Sequence, residues 1–195
     1  MINYFLIVVG VLIFHAVFTY SLLLTSLAKI NPFIFFTKMR EAIIFAFSTS
    51  SSSATMPVTL KTVEEKLGVD KSVSSFCIPL GTTINMDGTA IMQGVATVFI
   101  AQVYQVDLSM MEYLMVIITA TLASIGTAGV PGVGLIMLAM VLQQVGLPVE
   151  GIALIIGVDR LLDMLRTAVN VSGDATISCI VANSENQFSR KDFIS

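Results

Sequence analysis

Two long stretches of the chain carry no charge, residues 42–60 and 113–149, and each is interrupted near its middle. In the first the interruption is STSSSSATMP, residues 48–57, and in the second SIGTAGVPGVG, residues 124–134. The apolar flanks run to roughly 12–17 residues each, short of the ~20 that a helix needs to cross a hydrocarbon core. A short helix, a polar or glycine-rich tip and a second short helix describe a hairpin that dips into a membrane and returns. Non-helical backbone at that depth survives only where protein buries it or where it lines a wet cavity. A low-complexity linker would not be flanked by such oil.

Composition agrees with lipid as the solvent. Of 195 residues, 55% are hydrophobic and 12% charged, with a mean hydropathy of +0.90, whereas soluble domains carry about 25% charged residues. The net charge of −3 and the lack of a basic stripe argue against a nucleic-acid partner. Cys77 and Cys179 form no CxxC pair and read as small apolar residues. The first apolar segment has no charged leader region and is long enough to span, so it reads as a transmembrane helix rather than a signal peptide. His15 within it reads as a neutral, hydrogen-bonded packing residue.

Charge placement orients these segments. Lys38, Arg40, Lys61, Lys66 and Lys71 flank the first interrupted stretch, while Asp107, Glu112 and Glu150 flank the second. Basic flanks favour the cytoplasm, so the two hairpins are expected to enter from opposite faces. The expectation is an all-α, multi-pass protein of the cell membrane, in contact with lipid. Its parts are a transmembrane helix over 2–30, a first re-entrant hairpin over 32–68 and a broken transmembrane helix over 70–106. A second re-entrant hairpin over 109–147 and a transmembrane helix over 148–184 complete it. SSATMP and GTAGVP are alike, as in an inverted repeat with its site at the midplane. This orientation leaves Met1 outside with no earlier span to carry it there, so the chain is expected to be the C-terminal part of a longer protein.

The last span holds a polar stripe. Asp159, Asp163, Arg166, Asn170 and Asp174 project, at ~100° per residue, within a quarter of the helix circumference. Four mid-bilayer charges facing lipid would cost about 10 kcal/mol, so the stripe must face a polar interior. Either the stripe satisfies itself as ion pairs, or a bound cation or ligand amine balances three acids against one base. A further break, GTTINMDGT over residues 81–89, is poor helix sequence and would turn carbonyls and the Asp87 carboxylate inward. Hard oxygens of that kind suit sodium-like ions, and no His/Cys cluster suits a transition metal. An intramembrane aspartyl protease using Asp87 and Asp163 is the rival from another class. It lacks a GxGD segment, and Arg166 would hold one acid ionised where a protease dyad must share a proton.

SSSSATMP, NMDGT, GTAGVPG and DMLRTAVNVSGD, in that order, resemble the glutamate transporter family, the sodium-coupled dicarboxylate/amino-acid symporters. The resemblance runs from about residue 2 to 186 and covers most of that family's transport domain, without the first five spans that include its trimerising scaffold. It implies the following roles. Ser51 and Ser52 would hold a substrate α-carboxylate, Asp163 would receive the α-amino group with Thr167 and Asn170 beside it, and Arg166 and Thr89 would grip a side-chain carboxylate. Met86 and Asp159 join the candidate substrate residues, and Val130 and Gly132 match the tip that closes over the substrate. Sodium would be held by Gly81, Asn85, Asn170 and Asp174 at one site and by Thr83, Ser124, Ile125 and Thr127 at a second. Asn85 and Asp87 would form part of a third. Members that carry neutral amino acids lack the arginine matched by Arg166, and dicarboxylate carriers generally lack the acid matched by Asp163. Having both implies sodium-coupled symport of glutamate or aspartate by a homotrimer, not an enzyme, with a C4-dicarboxylate symporter as the alternative. Sodium is the co-transported ion, with no organic cofactor. Gln93 stands where animal glutamate carriers have a glutamate linked to proton coupling, and Ser50 where some archaeal members have an arginine.

Overall fold

A computed structural model describes residues 1–194. Helix α1 is Ile2–Ala28, with π-helical turns at His15–Thr19 and Leu24–Ala28. It ends at Lys29, whose φ of 56° closes it in the left-handed region. Among the described residues α1 is the one helix long and apolar enough, by length and composition, to cross a membrane.

Two helical hairpins follow, separated by a broken helix. In the first, α2 (Pro32–Thr49) starts on the Asn31 side chain with Pro32 in its first turn, where a missing N–H is harmless. It stops at Ser50, whose φ is 51°, and α3 (Ser52–Glu65) starts on the Ser51 hydroxyl. The serine tract is thus one C-cap and one N-cap back to back; the N-cap at Ser51 suits serine, whereas the left-handed C-cap at Ser50 is a place that glycine or asparagine usually takes. The broken helix is α4 (Lys71–Ile84) and α5 (Asp87–Val103), parted at Asn85 and Met86, neither of which has helical dihedrals. In the second hairpin α6 (Met110–Ile125) opens with a capping box between Ser109 and Glu112, and α7 (Val133–Gln144) opens at Gly132, whose φ is 82°.

Residues 149–154 form a 3-10 turn, and the last long helix, α8 (Ile156–Ser184), begins only at Ile156. The expected helix from 148 is therefore split. At Gly151 a Cβ would stand 2.5 Å from the Ile100 Cγ2, so the chain hugs α5 before it straightens. Helix α9 (Arg190–Ile194) closes the described chain. Among the described residues the protein is all-α, with a single isolated β-bridge between Val69 and Phe188.

Helix α8 organises the fold. The base of the first hairpin lies at its C-terminal end, where Asp70 N donates to Gln187 O, and the second hairpin runs into its N-terminal end. At 29 residues α8 is ~43 Å long, so the hairpins approach along it from opposite ends and their tips meet beside its middle. The burial pattern is inverted relative to a soluble domain. Large apolar side chains such as Leu6, Phe14, Phe33, Ile117 and Ile136 are exposed, while Thr55, Gln93, Arg166, Asn170 and Asp174 are buried. Exposed oil on this scale marks a surface made for lipid or for other protein.

Candidate functional site

The hairpin tips are joined by hydrogen bonds to one carbonyl. Ser51 Oγ donates to Gly129 O at 2.7 Å, and Ser53 N donates to the same oxygen at 3.1 Å. A Cβ at Gly129 would lie 2.9 Å from Ser53 Oγ and 3.2 Å from Ser52 Cβ, so this close approach of the two tips relies on glycine. Beneath this junction is a cleft lined by Ser50, Ser52, Met86, Thr89, Val130, Asp163, Thr167 and Asn170, among others. Its free volume of about 10 Å³ would barely admit one water. The tips are closed down, and Gly132 N donates to Asp163 Oδ2 at 3.0 Å. A ligand amine aimed at Asp163 would have to replace that donor.

Of the expected substrate residues, Ser52, Met86, Thr89, Val130, Asp163, Thr167 and Asn170 line the cleft. Ser51 turns its hydroxyl to the other hairpin, and Asp159 and Arg166 lie behind the lining. Arg166, 1% exposed, places Nη1 at 2.8 Å from Asp159 Oδ1 and Nη2 at 2.8 Å from Asp163 Oδ1. One guanidinium thus bridges two carboxylates one and two turns back along its own helix. The self-paired and ligand-balanced readings of the stripe divide here: the upper part pairs itself, the lower part does not. Asn170 is fully engaged, accepting from Gly88 N at 2.8 Å and facing Met86 Sδ at 3.2 Å with its amide nitrogen.

The lower part is Asp174, 2% exposed, whose one hydrogen-bond partner among the described residues is Asn85 Nδ2 at 2.9 Å. Gly81 presses on the same carboxylate: a Cβ there would sit 2.6 Å from Asp174 Oδ1. Asn85 Nδ2 also approaches Asn170 O at 3.4 Å. Gly81, Asn85, Asn170 and Asp174 are thereby brought together around a buried carboxylate that has no cation beside it among the described residues. A buried carboxylate without a counter-charge is costly, so the chemistry of this donor set fits a small hard cation.

Asp87 points elsewhere. Its Oδ2 lies 3.0 Å from Tyr20 Oη and 3.2 Å from His15 Nε2, both on α1. Tyr20 Oη is also 3.2 Å from Val169 O, so the phenol serves one acceptor at a time. Thr83 is exposed, with its hydroxyl on Leu80 O of its own helix at 2.8 Å. Ser124 and Thr127 are buried, and their hydroxyls return to Thr121 O and Ala123 O, while Ile125 is 44% exposed. The resemblance builds the site of these four largely from backbone carbonyls, and the three hydroxyls are each turned to a carbonyl of their own segment. Gln93, fully buried, donates to Gly134 O at 3.2 Å, and its side-chain carbonyl has no partner among the described residues.

The sodium:dicarboxylate symporter family matches residues 1–184. The chain belongs to that family. Among its relatives, excitatory amino acid transporter 1 of Rattus norvegicus is 47% identical over 187 residues, covering 95% of this chain and 34% of the relative. An excitatory amino acid transporter of Caenorhabditis elegans is 47% identical over 178 residues, covering 91% and 35%. Excitatory amino acid transporter 3 of Mus musculus is 52% identical over 161 residues, covering 83% and 31%. The chain spans about a third of the length of these curated relatives. As part of a symporter family it is an integral membrane protein.

Three features of this chain are faint or ambiguous in its sequence. Tyr20 as a partner of Asp87 had only a faint signal, a phenol in an oily helix five residues after His15. Gly129 as the seat of the tip junction is one glycine among 13. Asp159 as the second carboxylate of Arg166 is legible as i, i+7 spacing, but spacing alone does not say which acid the guanidinium chooses.

Proposed function

We propose that this chain is the cargo-binding part of a sodium-coupled symporter for an acidic amino acid, glutamate or aspartate. The observation that carries the reading is Arg166 bridging Asp159 and Asp163, with Asp163 facing the cleft. A zwitterion with a second carboxylate fits that arrangement. Its ammonium satisfies Asp163 in place of Gly132 N, and its side-chain carboxylate takes the guanidinium arm that Asp163 gives up. The ammonium and the side-chain carboxylate each gain a charged partner in this exchange, and the remaining α-carboxylate falls to the amide and hydroxyl donors of the Ser51–Ser52 tip. A plain C4-dicarboxylate offers no ammonium and would leave Asp163 facing an anion.

Sodium enters as cargo. Asp174 with Gly81, Asn85 and Asn170 forms the cradle the structure supports best. Asn170 belongs to both places, since its side chain touches Met86 and Thr89 at the cleft while its backbone oxygen faces Asn85. An ion that fixes Asn170 therefore favours the same cleft geometry as the substrate, and each raises the other's affinity. The hairpins act as re-entrant elements of the cell membrane, and the loaded body moves against a scaffold in an elevator-type, homotrimeric assembly.

The test is uptake by the complete gene product in liposomes under an inward sodium gradient, with glutamate, aspartate and succinate compared. Sodium-driven aspartate or glutamate uptake that succinate competes for weakly is the expected result. Strong competition by succinate transfers the assignment to a dicarboxylate carrier, and uptake indifferent to sodium overturns the reading.

A further inference from the structure

Residues 185–194 lie beyond the stretch that matches the family, residues 1–184, yet they are hydrogen-bonded to three other parts of the chain. Ser189 N donates to Gly68 O at 2.7 Å and Asp70 N to Gln187 O at 3.0 Å, around the β-bridge of Val69 with Phe188. Arg190 caps the end of α1 by donating to Lys29 O at 2.9 Å and reaches Asn183 Oδ1 on α8 at 3.0 Å. Asn183 in turn donates to Leu27 O at 3.1 Å. Lys38 of α2 gives its ammonium to Lys66 O and Asp192 O, both at 2.9 Å, and lies 5.7 Å from the Phe193 ring centre. Phe193 itself is buried among the apolar residues at this end of the fold. A side chain at position 68 would collide with the Ser189 carbonyl, and the Gly68 φ of +76° also calls for glycine.

The second hairpin has no counterpart. Among the described residues its hydrogen bonds to the rest of the chain all lie near its tip, at Gly129 O, Gly132 N and Gly134 O. Its base is capped locally by Ser109 and Glu112.

We propose that residues 185–194 are a strap that welds the base of the first hairpin to the ends of α1 and α8. The strap makes these three elements one rigid frame, so that one side of the cleft is held still from ~20 Å or more away, while the other hairpin packs on α5 through apolar side chains and, among the described residues, hydrogen-bonds to the rest of the chain near its tip. That reach follows from α3's 14 residues at ~1.5 Å each.

Hydrogen exchange on the complete gene product in nanodiscs reads this without any transport measurement, so its outcome is separate from that of the proposed function. The variants are a stop codon in place of Asn186 and the single change Arg190→Gln. Amide exchange at the first tip, residues 50–55, should accelerate about tenfold in the truncation and about threefold in Arg190→Gln, with residues 127–133 unchanged. Unchanged exchange at 50–55 overturns the strap. Equal acceleration at both tips also overturns it, because that is general loosening. If the truncated protein does not fold, Lys38→Met removes two carbonyl bonds, keeps the aliphatic stem, and is read at the same amides.

Discussion

Ser51 and Gly129, 78 residues apart, are joined by a 2.7 Å hydrogen bond that closes the cleft between two hairpins. Both partners are at turns, where the backbone is fixed by caps rather than by helix packing, so the junction is precise and easily opened. A single hydrogen bond of this kind contributes about 1 kcal/mol net, small enough for a ligand to trade against.

Gly129→Ala tests whether that close approach governs binding. The new methyl would meet Ser53 Oγ at 2.9 Å and Ser52 Cβ at 3.2 Å, forcing the tips apart. Half-saturating substrate should rise about tenfold in uptake assays, with the melting temperature little changed. Ser51→Ala, which removes one of the two bonds to the same carbonyl, should have a smaller effect of the same sign.

The two carboxylates on Arg166 should separate by assay. Asp159→Asn leaves a sealed guanidinium short of a partner, and breaking a buried pair costs ~3–5 kcal/mol. The thermal stability of the purified protein should fall accordingly. Asp163→Asn, at the cleft, should cost less stability but abolish amino-acid uptake. If Asp163→Asn transports aspartate with unaltered affinity, the exchange of partners at Arg166 is wrong.

Sodium dependence should concentrate on Asp174. Asp174→Asn removes the buried anion and should raise half-saturating sodium at least tenfold while leaving the fold intact. Gly81→Ala should do the same by obstruction, since its Cβ would stand 2.6 Å from Asp174 Oδ1. A sodium titration of aspartate uptake for each variant decides it.

Tyr20→Phe deletes the hydroxyl shared by Asp87 and Val169 O without changing the ring that packs at 4.8 Å on His15. A stability loss of about 1 kcal/mol is expected, the net contribution of one hydrogen bond, since the half-exposed Asp87 carboxylate can turn to water. Urea-free thermal melts in detergent would show it. A Tyr20→Phe protein as stable as its parent would remove Asp87 from the set of structurally constrained carboxylates.

The sequence by itself determined where the helices break. Serines that cap better than they propagate, Gly126 to Gly132 with its proline, and Asn85–Met86–Asp87 each interrupt an apolar run. The backbone chemistry that stops a helix is local. The sequence also determined that the α8 stripe had to face inward, because period and charge alone fix that. Only the tertiary structure decided which groups meet: Arg166 with two acids, Asp174 with Asn85 and Gly81, Asp87 with Tyr20, and the tail with Gly68 and Lys29. Those choices depend on helix rotation and depth between segments many residues apart, which close packing sets and no single stretch of chain encodes.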